Sequence, residues 1–145
     1  MTTLTAQFDV PIGVDSPGTC RRAVLAVLAV WGYQHDDWVA DASVVVSELV
    51  TNAVQHGAGS VQISLEAYGP HVVFSVADGS SVVPRRREPD GRGGRGLVLV
   101  EALTRRWHVE EHEGGKRVRA ELRLYPDADG PPPPPGSARE DPLQA

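Results

Sequence analysis

The chain has 145 residues, 41% of them hydrophobic, and a formal net charge of −5. That suits one domain of about 125 residues around a single core, and it argues against general nucleic-acid binding, which takes a basic domain. The lone cysteine, Cys20, excludes an intrachain disulfide or a cysteine-rich zinc site. The longest apolar run, 23–31, is too short to span a bilayer. It also lacks the flanks of a signal peptide, so a cytoplasmic protein with no membrane contact is expected.

In chain order, Leu4, Ala6, Phe8 and Val10 alternate over 3–10 and predict an edge strand ended by Pro11 and Gly13. Ser16-Pro17 predicts an N-cap with proline in the first helical position, opening a helix that Gly32 stops after about residue 30. Val24, Leu25, Val27, Leu28 and Trp31 make this helix apolar on most of its circumference, so it is expected to be well buried, with Cys20 packing as a small hydrophobe. A second helix is predicted over about 37–56, closed by Gly57. Val61, Ile63 and Leu65, then Val72, Phe74 and Val76, alternate on either side of Gly69-Pro70 and predict a hairpin that delivers Asp78-Gly79 at its end.

Residues 80–96 are poor in apolar side chains and contain Pro84, Pro89, three consecutive Arg and the run Gly91-Arg92-Gly93-Gly94-Arg95-Gly96. A loop of this length inside a domain is usually a lid or a binding loop. The basic residues are 13 Arg and one Lys, and five of the Arg fall within 85–95, a concentration suited to an anionic ligand or partner. Leu97, Val98, Val100, Leu103 and Trp107 resume helical spacing, which sets the glycine run on a helix N-terminus. Residues 107–111 and 117–124 predict a closing hairpin that turns at Gly114-Gly115. The domain is expected to occupy 1–125. Residues 126–145, with Pro131 to Pro135, are expected to be a disordered tail of polyproline II character, either passive or read by a proline-binding domain. The order β, α, α, β, β, loop, α, β, β predicts an α/β (α+β) two-layer sandwich, a mostly antiparallel mixed sheet with helices on one face.

On the second helix Ala42, Val46, Leu49, Val50 and Ala53 form an apolar stripe, while Glu48, Asn52 and Gln55 share the other face with His56 at its border. Glu48 and Asn52 are i,i+4 neighbours. A carboxylate there can orient or deprotonate a hydroxyl or a water, and an amide oxygen is a ligand that Mg²⁺ accepts beside waters and phosphate oxygens. Taken alone, the pair reads first as the solvated face of an amphipathic helix. Asp78 either caps a turn or accepts a hydrogen bond from an exocyclic amine. Glycine-rich backbone at a helix N-terminus presents N–H groups to phosphate, with Arg92 or Arg95 adding charge-assisted bonds; a flexible linker has the same composition. It is no Walker A loop, because the Lys-Ser/Thr pair is missing.

In combination, Glu48-Leu-Val-Thr-Asn52-Ala-Val-Gln-His56-Gly57, Asp78-Gly79, Gly94-Arg95-Gly96-Leu97 and a closing hairpin resemble the Bergerat-fold (histidine-kinase-like) ATPase superfamily. More closely the chain resembles the small bacterial anti-sigma-factor serine kinases and their actinobacterial ATP-binding relatives, over nearly all of 16–124. The resemblance implies a Bergerat ATP-binding fold with ATP and Mg²⁺ as cofactors. It makes Asn52 the metal ligand and Glu48 the general base on water or a substrate serine. Asp78, with Gly79, would recognise the adenine amino group; Gly94, Gly96 and Leu97 would belong to the loop over the phosphates. His56 would close the helix against the nucleotide or simply cap it.

The implied activity is that of an ATP-dependent serine/threonine protein kinase in transcription regulation, whose partner is a sigma factor or an anti-sigma antagonist. Homodimerisation through the first helix is expected only if its apolar residues prove exposed. Two departures bear on this. Ser80 and Val82 stand where the family's first glycine box has glycines, and Arg117 stands about where a threonine near the adenine is expected. The alternative reading is therefore a nucleotide-sensing or partner-binding module without turnover.

Overall fold

The structure is a computed structural model that describes residues 2–56, 59–79 and 95–126, apart from the side chains of His56 and Arg95. Its elements are β1 (Leu4–Pro11), α1 (Ser16–Val30), α2 (Asp36–His56), β2 (Ser60–Tyr68), β3 (His71–Asp78), α3 (Arg95–Leu103), β4 (Thr104–His112) and β5 (Gly115–Leu122). The strands form one five-stranded sheet in the order β1-β2-β3-β5-β4. Every neighbouring pair is antiparallel, so the mixed sheet expected from the sequence is antiparallel throughout the described residues. The closing glycine Gly57, the glycine-rich run up to Gly94 and the Pro-rich segment from 127 onward lie outside the described residues.

Period-two patterning explains which face is covered. Val61, Ile63, Leu65 and Ala67 of β2, Val72, Phe74 and Val76 of β3, and Val118, Ala120 and Leu122 of β5 are all buried on one face. Against them lie Cys20, Val24 and Leu28 of α1, the stripe Ala42, Val45, Val46, Leu49, Val50 and Ala53 of α2, and Leu97 and Val100 of α3. Burying each such aliphatic side chain contributes about 1.5–3 kcal/mol. The opposite face of the sheet carries solvated ion pairs, Arg119 with Glu66 at 3.3 Å and Arg106 with Glu121 at 2.6 Å. This is the two-layer α+β arrangement that alternation and helix order predicted.

Three local expectations change. Ser16 does not cap α1. It is buried as the first helical residue, accepts from Gly13 N at 2.8 Å and donates to Pro11 O at 2.7 Å, so the hydroxyl pins the β1–α1 connection instead. The α1 helix is buried along one stripe only, and Val30 is exposed. The third helix stops at Leu103, where buried Thr104 donates to Val100 O at 2.7 Å, and Trp107 belongs to β4. The Leu103/Trp107 spacing of four satisfies helical and strand parity alike, so spacing alone could not separate them.

A clasp closes the far end of the domain. Backbone N–H groups of Gln34 and His35 both donate to the Tyr125 hydroxyl at 3.0 Å, Trp38 Nε1 donates to Arg123 O at 2.7 Å, and the Tyr125 ring meets Tyr33 and Trp38 edge-on. Burial, then the neighbouring Tyr125, raises the Tyr33 pKa. Burial also raises the pKa of Cys20, which has no exposed surface. Native protein should therefore leave a thiol reagent such as DTNB unconsumed at neutral pH while guanidinium-unfolded protein reacts within the mixing time. Stoichiometric reaction of the native protein at the unfolded rate would contradict this packing.

Candidate functional site

The α2 helix offers a chemically mixed surface because its stripe Leu49, Val50 and Ala53 is committed to the core. Glu48 and Asn52, one turn apart, are left half-buried at the margin of the packed face, and Gln55 is exposed. The helix packs on β3 and on α3, the two elements that carry Asp78 and the start of the Arg95-Gly96-Leu97 turn. Three segments far apart in sequence thus converge. Leu97 is buried and anchors the first turn of α3; the His56 and Arg95 side chains, Arg92 and Gly94 lie outside the described residues.

At the end of β3 the structure adds a partner. Asp78 is buried beside exposed Gly79, and both its carboxylate oxygens accept from the Lys116 ammonium, at 3.1 and 2.9 Å. The two residues are directly opposite in the β3/β5 register, and their side chains are 1% and 5% exposed. Lys116, not Arg117, is the residue of the last hairpin that meets Asp78. Arg117 pairs with Ala77 on the other face of the sheet and lies 3.4 Å from His112 Nε2. The sequence contained the signal. Lys116 shares the parity of Val118, Ala120 and Leu122, so a strand reading puts the chain's one lysine on the buried face.

Backbone geometry brings β5 to Asp78. The β4–β5 turn is the two-residue loop Glu113-Gly114 between paired His112 and Gly115, rather than Gly114-Gly115. Both loop residues have positive φ, 49° and 83°, as a primed turn requires. Gly115 then starts β5 so close to β3 that an added Cβ would strike the Asp78 carbonyl oxygen and sit 2.7 Å from Gly79 Cα.

A cleft of about 350 Å³ opens at this end of the sheet, lined by Asp9, Ser60, Gln62, Ala77, Asp78, Gly79, His112 and Glu113. Asp9, Gln62 and Ala77 are register partners on the face away from the helices, and neither Glu48 nor Asn52 lines the cleft. It is therefore a different surface from the α2 site. Among the described residues, no three His, Cys, Asp or Glu side chains converge as a metal cluster. Mg²⁺ on a nucleotide does not need one: an amide oxygen such as that of Asn52, waters and phosphate oxygens suffice. The donor set on α2 fits that ion, whereas the Asp78 carboxylate, already ion-paired, fits an adenine amine poorly. No helix among the described residues is long and apolar enough to cross a membrane.

Comparison with known proteins gives the following. Residues 14–122 match the model of the histidine kinase-like ATPase domain. The serine-protein kinase RsbW of Bacillus subtilis is 29% identical over 127 residues, covering 74% of this chain and 79% of that protein. RsbW of Oceanobacillus iheyensis is 28% identical over 116 residues, covering 67% and 73%. Among solved structures, the histidine kinase domain of the Erythrobacter litoralis EL346 blue-light activated histidine kinase is similar with a TM-score of 0.47 and 19% identity, covering 79% of this chain and 62% of that one.

Proposed function

We propose, from the premise that this chain belongs to the histidine kinase-like ATPase domain family, that it is an ATP-binding regulator that binds Mg·ATP through α2 and phosphorylates a serine of a regulatory partner protein. The observation that carries this reading is the half-buried Glu48/Asn52 pair, one turn apart on a helix packed against both β3 and α3. The likeness to RsbW, a serine-protein kinase by name, supports the choice of serine as acceptor.

Each residue then has a task. Asn52 would hold Mg²⁺ through its amide oxygen, and the ion would offset the charge of the phosphates. Glu48, a turn earlier, accepts the proton of the attacking serine hydroxyl. Gly94, Gly96 and the start of α3 supply backbone N–H groups to the phosphates, with Arg92 and Arg95 adding charge. His56 closes α2 beside them, and Asp78-Gly79 forms the base end. The partner is a sigma factor or an anti-sigma antagonist, and the setting is the cytoplasm. Residues 1–125 act as the catalytic unit, with the Pro-rich 126–145 outside it.

Thermal unfolding with and without Mg·ATP tests the site. Ligand at 100 times its dissociation constant stabilises by about 2.7 kcal/mol, a shift of roughly 10 °C for a domain of this size. Asn52→Ala should abolish the magnesium-dependent part of that shift; an undiminished shift in Asn52→Ala would remove Asn52 from the metal. Glu48→Gln should keep the shift and lose phosphoryl transfer.

A second reading, a nucleotide-sensing or partner-binding module without turnover, is favoured by one feature, the ion pair that occupies Asp78. Loss of the shift in the unaltered protein would select it.

A further inference from the structure

We propose that Lys116 sets the base specificity of this site: it holds Asp78 in an internal ion pair, so the pocket takes a purine nucleoside triphosphate without selecting the 6-amino group of adenine. This deepens the nucleotide-binding reading above and rests on it.

Geometry makes the pair part of the fold rather than an accident of a long side chain. Asp78 and Lys116 face each other across the β3/β5 ladder, and the close approach of Gly115 to the Asp78 and Gly79 backbone holds the start of β5 in place. Both carboxylate oxygens accept from the ammonium, at 3.1 and 2.9 Å, and with side chains 1% and 5% exposed the pair is shielded from water. An adenine amine is a neutral donor, and its hydrogen bond to a carboxylate returns less than it costs to separate a buried ion pair. The ammonium therefore stays, and the amine gains nothing from Asp78. An ammonium has three N–H donors. Two of them are engaged by Asp78, and with both side chains buried neither group reads the 6-position of a base, so inosine, with a 6-oxo group, should be received as well as adenosine.

The test compares Mg·ATP with Mg·ITP by calorimetric titration of the full chain and of Lys116→Thr. The unaltered protein should bind the two with dissociation constants within about threefold of each other. Lys116→Thr, which takes the ammonium away from the Asp78 carboxylate, should prefer ATP by at least about tenfold, the equivalent of about 1.4 kcal/mol or one net hydrogen bond. Should Lys116→Thr fail to fold, the unaltered protein still decides: an ATP preference of about tenfold or more there overturns the proposal and leaves the nucleotide site standing. An equal weakness of ATP and ITP in a folded Lys116→Thr also overturns it. If ATP, ITP and inorganic triphosphate all fail to bind either protein, the nucleotide reading itself falls and takes the proposal with it.

Discussion

Replacing Lys116 by Met should lower stability by about 3–5 kcal/mol, the usual cost of removing one partner from a buried ion pair. The cause is not lost attraction alone. Asp78 stays buried on the helix-facing side of β3 after the Lys116 ammonium has gone, and a buried carboxylate that loses a charged partner is expensive for a core to hold. The melting temperature should fall by roughly 10–20 °C. Lys116→Met combined with Asp78→Asn removes both charges, and buried pairs replaced as a unit often cost little, so the double variant should recover most of the loss. A cycle of the four proteins in urea measures this. Additive losses would mean that the two side chains do not act as a pair.

Gly115→Ala should cost about 3 kcal/mol, near the top of the usual range for inserting a methyl group into a packed site. The atoms its Cβ would meet belong to the backbone of Asp78 and Gly79, so no side chain can rotate aside, and the β4–β5 turn itself must retreat. Gly114→Ala is the control. Its φ of 83° is unfavourable for alanine, yet a Cβ there meets nothing within 4 Å, so the loss should stay near the about 1–2 kcal/mol of a left-handed residue. Denaturant midpoints should rank unaltered protein above Gly114→Ala above Gly115→Ala. The reverse order of the two variants would show that backbone conformation, not close approach, dictates glycine at this turn.

Much of this was legible in the sequence, for physical reasons. The β2–β3 hairpin was readable because Val61, Ile63, Leu65 and Val72, Phe74, Val76 alternate on either side of a turn pair, and alternation has one interpretation in a half-covered sheet. The face of α2 was readable because its apolar stripe is wide and the polar pair sits outside it. What escaped were features fixed across the sheet. The Lys116–Asp78 contact joins residues 38 apart in sequence through a register that no local pattern states. Gly115 looked like a turn residue because glycine pairs usually are, while the turn is made by Glu113 and Gly114. Ser16 has the right identity for a cap, but its hydroxyl found nearer partners in Gly13 and Pro11. The Asp78 position was read correctly and its surroundings were not, since the chemistry of a carboxylate depends on what the neighbouring strand brings to it.

The strand order has a consequence for how the chain must be made. The last of the described strands to be synthesised, β5, occupies an interior place between β3 and β4. While a nascent chain is still short of residue 115, β3 presents a full row of unpaired backbone groups beside Val72, Phe74 and Val76, the kind of edge that pairs with another copy. The domain therefore completes this sheet by inserting β5 rather than by adding strands outward. Any delay or premature stop before β5 emerges from the ribosome leaves an aggregation-prone intermediate, even though the three helices and four of the five strands of the described residues already exist.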